Sequence, residues 1–392
     1  MTTERLQIVK DKLGEELSSI FCKLHQNPEL SNEEFETTRI LKEALVKAGI
    51  KVLDLPLRTG LVAEVKGREN GPIVAIRSDI DALPISEETS LSYKSVVNGK
   101  MHACGHDFHA TSILGAAYLL KLRESELAGT VKILFQPAEE TAHGAEQVIN
   151  TGVLSDVQAI FGLHTSSDLQ VGTIGTNIGP LTAAVDRFEI TVLGVGAHAA
   201  EPERGIDPIV VAANIITSLQ TIISRNISAF DQALISITHI ESGKTWNVIP
   251  KSAYLEGTVR TLNPETRKLI EKRIKDVIHG IAQSFGAEIE VKWHAGPPAT
   301  NNTEEWTKIS MEVASEIGYE VQKRQTGLGG EDFAYYQEEI PGTFIYVGTG
   351  KSYSHHHPKF QVDKSALKGT SEYFAKLAER ALLELDKDKR ES

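Results

Sequence analysis

Four continuous apolar runs are the feature that most limits the folds open to this chain. Each is bounded by turn residues, and they lie at 72–78 (PIVAIRS), 130–136 (TVKILFQ), 157–164 (VQAIFGLH) and 342–349 (GTFIYVGT). Apolar residues at helical spacing fill 3–24 and 33–48, and a further helix is predicted from about Asp107 to about Glu124. Runs of Val, Ile and Phe with helices between them are typical of strands buried on both faces. We therefore predict an α/β fold with a mostly parallel central sheet flanked by helices.

The pattern changes between residues 184 and 295. Three of the strands predicted here, at 186–194, 233–242 and 252–261, show partial alternation of polar and apolar residues, so each could have one solvated face. Six segments have the order βαββαβ: 186–194, 207–224, 233–242, 252–261, 264–286 and 287–294. This order is typical of ferredoxin-like α+β domains, whose helices cover one side of a small sheet. We predict that residues 1–183 and 296–392 form one domain, into which residues 184–295 are inserted as a second.

Length, charge and cysteine content narrow the class of protein. A chain of 392 residues is long for a single core, which favours two domains. The formal net charge of −12 argues against nucleic acid or an anionic membrane surface as a partner, and apolar runs such as 208–216 are too short to span a bilayer. The charged N-terminus shows no apolar signal region, and two cysteines give no disulfide framework. These features predict a cytoplasmic protein with no nucleic-acid or membrane partner.

The stretch MHACGHDFHATS (101–112) carries the first candidate metal ligands. Cys104 and His106 stand one residue apart where a loop is predicted to enter a helix. A thiolate and an imidazole together suit Zn²⁺ or a similar divalent ion. The common structural zinc sites need further cysteines, and the only other one is the distant Cys22. On these residues alone, a buried cysteine beside capping histidines is an equally good interpretation.

Three other predicted strand ends supply residues of the same kind. Glu139 and Glu140 follow the run 130–136, His164 closes the run 157–164, and His356 follows the run 342–349. Taken singly, they also fit an acidic turn, a core histidine and a polar loop. Ligand sites of α/β sheets form at the carboxyl ends of the strands. The combined set can hold two metal ions that share a bridging ligand: Cys104, His106, Glu140, His164 and His356.

A series of motifs spans nearly the whole chain. They are HQNPELSNEEFET (25–37), RSDIDALP (77–84), MHACGHDFH (101–109), QPAEE (136–140), GVGAHAAEP (194–202), NVIP (247–250), EGTVRT (256–261), GGEDFAYY (329–336) and HHPKF (356–360). In kind and order they resemble the M20 metallopeptidase/amidohydrolase family, in its branch of aminoacylases, hippurate hydrolases and auxin-conjugate hydrolases. The resemblance implies a di-metal catalytic domain with an inserted lid domain that mediates dimerisation.

The resemblance also implies roles for individual residues of the catalytic domain. It supports the five ligands, with Cys104 shared between the two ions. It makes Glu139 the general base and gives Asp81 the task of orienting a metal-bound group. Asp79 stands where other branches carry a metal-binding histidine, and we do not take it as a ligand. We expect His102 and His109 to pack or support the site, Asp107 to cap its helix, and Glu331 and Asp332 to shape the site floor.

In the lid, the resemblance concerns three polar residues. His198 matches a histidine that reaches the active site of the partner subunit and stabilises the developing oxyanion. Asn247 and Arg260 match positions that hold the carboxylate of the substrate, for which the forked guanidinium of arginine is well suited. From its place in a strand alone, Arg260 could equally form a surface ion pair.

The function expected from these features is hydrolysis of the amide bond of N-acyl amino acids (N-acetyl or N-benzoyl) or of small peptides. Two divalent ions per subunit would serve it, Mn²⁺ or Zn²⁺ and alternatively Co²⁺, in a homodimer or a tetramer. A dipeptidase or aminopeptidase acting at the same site is the nearest alternative. A cysteine-nucleophile hydrolase using Cys104 with His106, and a non-catalytic metal-binding scaffold, are the alternatives from other classes. The preferred acyl group stays open.

Overall fold

The computed structural model describes residues 3–391. Its helices are α1 (Thr3–Gln26), α2 (Phe35–Lys47), α3 (His106–Leu122), α4 (Gly144–Ile149), α5 (Pro208–Asn226), α6 (Pro264–Phe285), α7 (Glu304–Glu316), α8 (Phe333–Gln337) and α9 (Ala366–Glu391). Its longer strands and short bridging strands are β1 (Lys51–Val52), β2 (Leu61–Lys66), β3 (Ile73–Asp79), β4 (Thr130–Gln136), β5 (Ala159–Ser166), β6 (Thr173–Thr176), β7 (Gly179–Pro180), β8 (Ala184–Leu193), β9 (Ala197–His198), β10 (Ala233–Ser242), β11 (Val248–Ile249), β12 (Ser252–Thr261), β13 (Glu288–Ala295), β14 (Asn301–Asn302), β15 (Glu320–Lys323) and β16 (Gly342–Gly348). Short 3-10 turns lie at Glu124–Glu126, Glu139–Thr141 and Pro202–Arg204.

The chain divides into two compact units. The first comprises the described residues up to Leu181, Asn301–Gln325 and those from Asp332 onward. The second comprises Thr182–Thr300 and Thr326–Glu331. β8 begins at Ala184 and β13 ends at Ala295, so the six predicted segments of the insertion all fall in the second unit. The boundaries 1–183, 184–295 and 296–392 stay our proposal for the domains.

The first unit is built on an eight-stranded sheet within the described residues. Its strand order is β1-β2-β4-β3-β5-β16-β6-β15. The four central strands run parallel, whereas β2 pairs antiparallel with β4, and β6 pairs antiparallel with β16. β4 is buried along its whole length, as its unbroken apolar character predicts. The α/β fold class is confirmed, with a mixed sheet whose centre is parallel.

The predicted strands are close to those observed, with one shift that concerns the site. The run 130–136 is β4 to the residue, but the third run becomes β5, Ala159–Ser166. His164 therefore lies inside a strand, and the prediction that it closes one is wrong. The physical reason is the neighbouring strand, because β16 continues its parallel pairing with β5 as far as Ser166.

The second unit is a four-stranded antiparallel sheet with two helices. The strand order is β10-β12-β8-β13, and the order along the chain, β8-α5-β10-β12-α6-β13, is the predicted βαββαβ. Alternating residues of β8, Phe188, Ile190 and Val192, are buried in a core shared with α5 and α6. Each helix begins at a side-chain cap, provided by Asp207 for α5 and by Asn263 for α6.

Helix α5 departs from one expectation. Among the described residues it is the one helix whose length and composition would allow it to cross a membrane, with 19 residues and a mean hydropathy of 1.2. The run 208–216 is only part of it. One such helix is weak evidence, because a core helix of a globular protein meets the same test. Its residues Val211, Ile215 and Leu219 are buried in the core of the second unit.

Candidate metal centre and active site

The carboxyl ends of the parallel strands and one loop bring the predicted ligands of the first unit together. Asp81 follows β3, and Cys104 and His106 flank Gly105 at the start of α3. Gly105 has φ = 86°, in the left-handed region, and a Cβ there would lie 2.8 Å from the side chain of Thr165. This tight turn directs the thiol and the imidazole to the same place.

Among the groups of side chains that could hold a metal ion, two share one sulfur. Cys104, His106 and His164 form one group, and Cys104, Glu140 and His356 form the other, with the ligand atoms of each group within 4.8 Å of one another. The Sγ of Cys104 lies 3.3 Å from Nε2 of His164, and Oε1 of Glu140 lies 3.4 Å from Nε2 of His356. Two cations with a bridging thiolate fit this arrangement.

Hydrogen bonds to the far sides of the imidazoles leave their other nitrogens facing the site. Nδ1 of His106 lies 3.1 Å from Oδ1 of Asp81, and Nδ1 of His164 donates to the carbonyl of Thr165 at 2.8 Å. Such outer bonds fix a histidine as a metal ligand. Within the described residues, Nε2 of His106 and Oε1 of Glu140 are buried without a hydrogen-bond partner and are 3.9 Å apart. An unpaired buried polar group costs about 1–3 kcal/mol, which a cation between these two atoms would remove. The residues therefore fit a metal centre.

Burial and nearby charges shift the pKa values of the candidate ligands in different directions, raising those of Cys104 and His106 and lowering that of His164. Burial raises the pKa of the Cys104 thiol well above its ordinary value, and the Glu140 carboxylate adds to this. Such a thiol is a poor nucleophile in itself, whereas an adjacent cation would deprotonate it. This counts against the cysteine-nucleophile alternative. Burial lowers the pKa of His164, which keeps its imidazole neutral and able to bind a metal.

Glu139 lies beside the two ligand groups without belonging to either. A carboxylate oxygen of Glu139 is within 4.8 Å of ligand atoms of His106 and Glu140. Its Oε1 also lies 3.4 Å from the backbone nitrogen of Asp332. A second carboxylate beside the candidate metal ligands is placed as a general base requires.

Asp79 is hydrogen-bonded to two other buried side chains. Its Oδ1 accepts from Nδ1 of His109 at 2.6 Å and its Oδ2 from Nη1 of Arg77 at 2.8 Å. Nε2 of His109 accepts from the backbone nitrogen of Thr165, so the ring proton lies on Nδ1. Arg77 is wholly buried and also bonds Asp332 at 2.6 Å. Sequence reasoning missed this network, although an arginine inside an apolar run was a visible signal.

Asp107 has a different task from the predicted one. Gly105 is the N-cap of α3, and Asp107 lies in the first turn, where its carboxylate accepts from the nitrogen of Phe108. Its other oxygen lies 2.6 Å from Nδ1 of the buried His25. The expectation that Asp107 caps the helix is therefore wrong, because a left-handed glycine ends the preceding loop. His102 is buried, as expected of a packing residue.

The second unit contains the three remaining predicted site residues. His198 is exposed at the end of β9, paired with Val248 of β11, and the carbonyl of Asn247 accepts from the nitrogen of Ala199 at 3.1 Å. His198 and Asn247 are thus close to each other. Arg260 is on β12, where it donates to Oγ1 of Thr258 at 2.7 Å and burial lowers its pKa.

The fold, the two ligand groups and the adjacent carboxylate together define a metal-dependent hydrolase. A family model described as peptidase family M20/M25/M40 matches residues 75–380. The chain belongs to this family and, within it, to the amidohydrolases that act on N-acyl amino acids.

Three similar proteins cover almost the whole chain. The N-acetylcysteine deacetylase of Bacillus subtilis is 51% identical over 91% of this chain and 94% of its own length. An IAA-amino acid hydrolase of Arabidopsis thaliana (ILR1-like 4) is 39% identical over 93% of this chain and 85% of its own. The crystal structure of the Bacillus subtilis YXEP protein, described as a dinuclear metal-binding peptidase of the M20 family, has a TM-score of 0.86 and 46% identity, and the match covers 95% of this chain and 99% of that one.

Proposed function

We propose that this enzyme removes small acyl groups, acetyl above all, from N-acyl amino acids, with N-acetylcysteine among its substrates. The observation that carries the proposal is the pair of ligand groups joined at Cys104, with the Glu139 carboxylate beside them. The 51% identity to an N-acetylcysteine deacetylase supports the choice of substrate. N-benzoyl amino acids and dipeptides are the competing substrates to be compared with it.

The metals are proposed to be two divalent ions, one held by Cys104, His106 and His164 and the other by Cys104, Glu140 and His356. The thiolate favours Zn²⁺, whereas the carboxylate and imidazoles also accommodate Mn²⁺ and Co²⁺. When bound, such ions polarise a scissile carbonyl and lower the pKa of a coordinated water.

The chain's own residues would move the proton and hold the substrate. Glu139 would take a proton from the attacking water and deliver it to the leaving nitrogen. Asp81 would hold the imidazole of His106 in its ligating orientation. In the proposed homodimer, or tetramer, His198 of the partner subunit would stabilise the oxyanion, and Asn247 and Arg260 would bind the substrate carboxylate. We propose the cytoplasm as its location, in keeping with the two free cysteines, Cys22 and Cys104.

The test is Glu139→Gln, because the amide keeps the size of the side chain and loses its basicity. The variant should retain its metal ions and lose a factor of about 10²–10⁴ in turnover of N-acetyl amino acids. Glu146→Gln, at an exposed glutamate of α4, is the matched control and should behave as the wild type. Near-normal turnover of Glu139→Gln would reject the assignment of the base.

A second experiment addresses metal and substrate together. The apoenzyme is reloaded with Zn²⁺, Mn²⁺ or Co²⁺ and assayed against N-acetyl amino acids, N-benzoyl amino acids and dipeptides. We expect the highest kcat/KM on N-acetyl substrates with at least one metal. A preference for dipeptides with all three metals would favour the peptidase alternative.

A further inference from the structure

The turn that carries Glu139 and Glu140 begins and ends in an unfavourable backbone conformation. Ala138, with φ = 55° and ψ = 38°, and Ala142, with φ = 59° and ψ = 25°, flank the 3-10 turn Glu139–Thr141. A left-handed conformation costs a residue with a Cβ about 1–2 kcal/mol. Such strain persists only where surrounding contacts hold it, and it is concentrated at functional sites.

A buried carboxylate from α2's N-terminus contacts this turn directly. Oε1 of Glu34 accepts from the backbone nitrogen of Ala138 at 2.8 Å. Oε2 of Glu34 accepts from Oγ1 of Thr59 at 2.7 Å, so both oxygens are engaged. Glu34 has no exposed surface, and Thr59 is also buried. A carboxylate is costly to bury, and it is stable here because it is hydrogen-bonded.

The side chain of Glu34 has no competing task in its own helix. Glu34 is the N-cap residue of α2, but its side chain makes no capping hydrogen bond there. The backbone nitrogens of Glu36 and Thr37 in the first turn donate instead to the carboxylate of Glu29, at 3.0 and 2.8 Å. The local helix signal therefore does not explain a glutamate at position 34.

We propose that Glu34 is a positioning residue, which holds Ala138 in the left-handed conformation and thereby directs Glu139 toward the metal groups. Two further bonds act on the same turn. The backbone nitrogen of Glu140 donates to Oδ2 of Asp81 at 3.1 Å, and Oε1 of Glu139 lies near the nitrogen of Asp332. Glu34 acts on Ala138, the residue immediately before the proposed base. Removing its carboxylate therefore changes the direction in which the backbone presents the Glu139 side chain. This inference rests on the proposed role of Glu139.

The first test replaces the holding group. Glu34→Ala should lower kcat at least tenfold at saturating metal, because the Glu139 carboxylate is no longer held in place. KM should change less than threefold, because the residues proposed to bind the substrate are unaffected. Glu34→Gln retains an oxygen that can accept from Ala138, and the Thr59 hydroxyl can turn to accept from the amide, so its kcat should stay within threefold of the wild type. Metal content per subunit and thermal melting are measured alongside.

The matched control is Glu29→Ala. Glu29 is the same residue type in the same motif, and its carboxylate bonds to the first turn of α2 rather than to Ala138. This variant should lower the melting temperature and leave kcat within threefold of the wild type. An equal loss of kcat in Glu29→Ala and Glu34→Ala would show a merely structural effect and overturn the proposal.

The second test asks whether the backbone conformation is what Glu34 provides. Glycine adopts the left-handed conformation without a Cβ penalty. Ala138→Gly in the Glu34→Ala background should therefore recover at least threefold in kcat, and a crystal structure of Glu34→Ala should show residue 138 outside the left-handed region. Unchanged kcat in Glu34→Ala, or no recovery on adding Ala138→Gly, would refute the proposal.

The outcomes separate this proposal from the function on which it rests. If Glu139→Gln is inactive while Glu34→Ala has wild-type kcat, only the positioning role fails. If Glu139→Gln is active, the assignment of the base itself fails. Should Glu34→Ala not fold, Thr59→Val takes its place, since it removes the hydroxyl that holds Oε2 of Glu34. That variant should lower kcat at least threefold, and wild-type kcat in it would contradict the proposal.

Discussion

The buried His25, in the motif HQNPELSNEEFET (25–37), allows a quantitative prediction of stability. His25, near the end of α1, is enclosed between two carboxylates, with Nδ1 2.6 Å from Asp107 and Nε2 3.3 Å from Glu87. Burial alone lowers its pKa, but the carboxylates of Asp107 and Glu87 outweigh this and raise the pKa to about 10, from an ordinary value of 6.5. The imidazole is therefore charged in the folded protein at neutral pH.

This difference in pKa is a difference in stability. At about 1.4 kcal/mol per pKa unit, it corresponds to about 5 kcal/mol of unfolding free energy. Because the folded protein binds the proton more tightly, the contribution is complete below pH 6.5 and is lost as the pH rises through about 10. An independent estimate agrees, since removing one partner of a buried ion pair costs about 3–5 kcal/mol.

The perturbation is His25→Gln, which is neutral at every pH. We expect this substitution to lower the unfolding free energy by about 3–5 kcal/mol at pH 6. The difference in unfolding free energy between the variant and the wild type should then narrow between pH 7 and pH 10. Unfolding in urea is followed by the fluorescence of Trp306, which is buried in α7 of the first unit. All variants are compared in a background with Trp246→Phe and Trp293→Phe, which removes the tryptophans of the second unit, so that the fluorescence reports on the first unit.

The control is His143→Gln, at an exposed histidine that pairs with Glu146 at 3.2 Å. A surface pair contributes at most about 1 kcal/mol, so this variant should unfold close to the wild type at every pH. If the gap between His25→Gln and the wild type were the same at pH 6 and pH 10, the charged state of His25 would be refuted.

Three further predictions concern the first unit's ion network and the metal centre. Arg77→Met should lower the unfolding free energy in the same urea assay by about 3–5 kcal/mol, because it leaves the buried carboxylates of Asp79 and Asp332 without their cation. A loss of less than about 1 kcal/mol would contradict this prediction. Cys104→Ala should reduce bound metal from two ions to fewer than one per subunit, because the Cys104 sulfur belongs to both ligand groups. His356 belongs to only one of these two groups, so His356→Ala should retain one ion. Equal metal content in the two variants would exclude a shared thiolate. Mixed oligomers of His198→Ala with Cys104→Ala should regain activity that neither variant has alone, and no recovery would argue against a histidine supplied across the interface.

The parallel core, and the strand ends where the proposed ligands lie, were accessible from the sequence. Unbroken apolar runs can be accommodated only where both faces of a strand are covered, and β4 was predicted to the residue for this reason. Cys104 and His106 are neighbours along the chain, so their convergence needs only one tight turn at Gly105. The antiparallel strands β2 and β6 and the edge strands β1 and β15 were missed, because short segments carry no clear periodicity.

The sequence by itself determined the layers of the fold and the chemical types of the proposed ligands, since both follow from local periodicity and from residues at predictable strand ends. Only the tertiary structure decided which buried polar groups share atoms. His25 with Asp107 and Glu34 with Ala138 are 82 and 104 positions apart, and Arg77 meets Asp332 at a separation of 255. Such pairs form where two elements happen to pack against each other. A hydrogen bond is formed or lost over less than 1 Å, and no pattern along the chain records distances that fine.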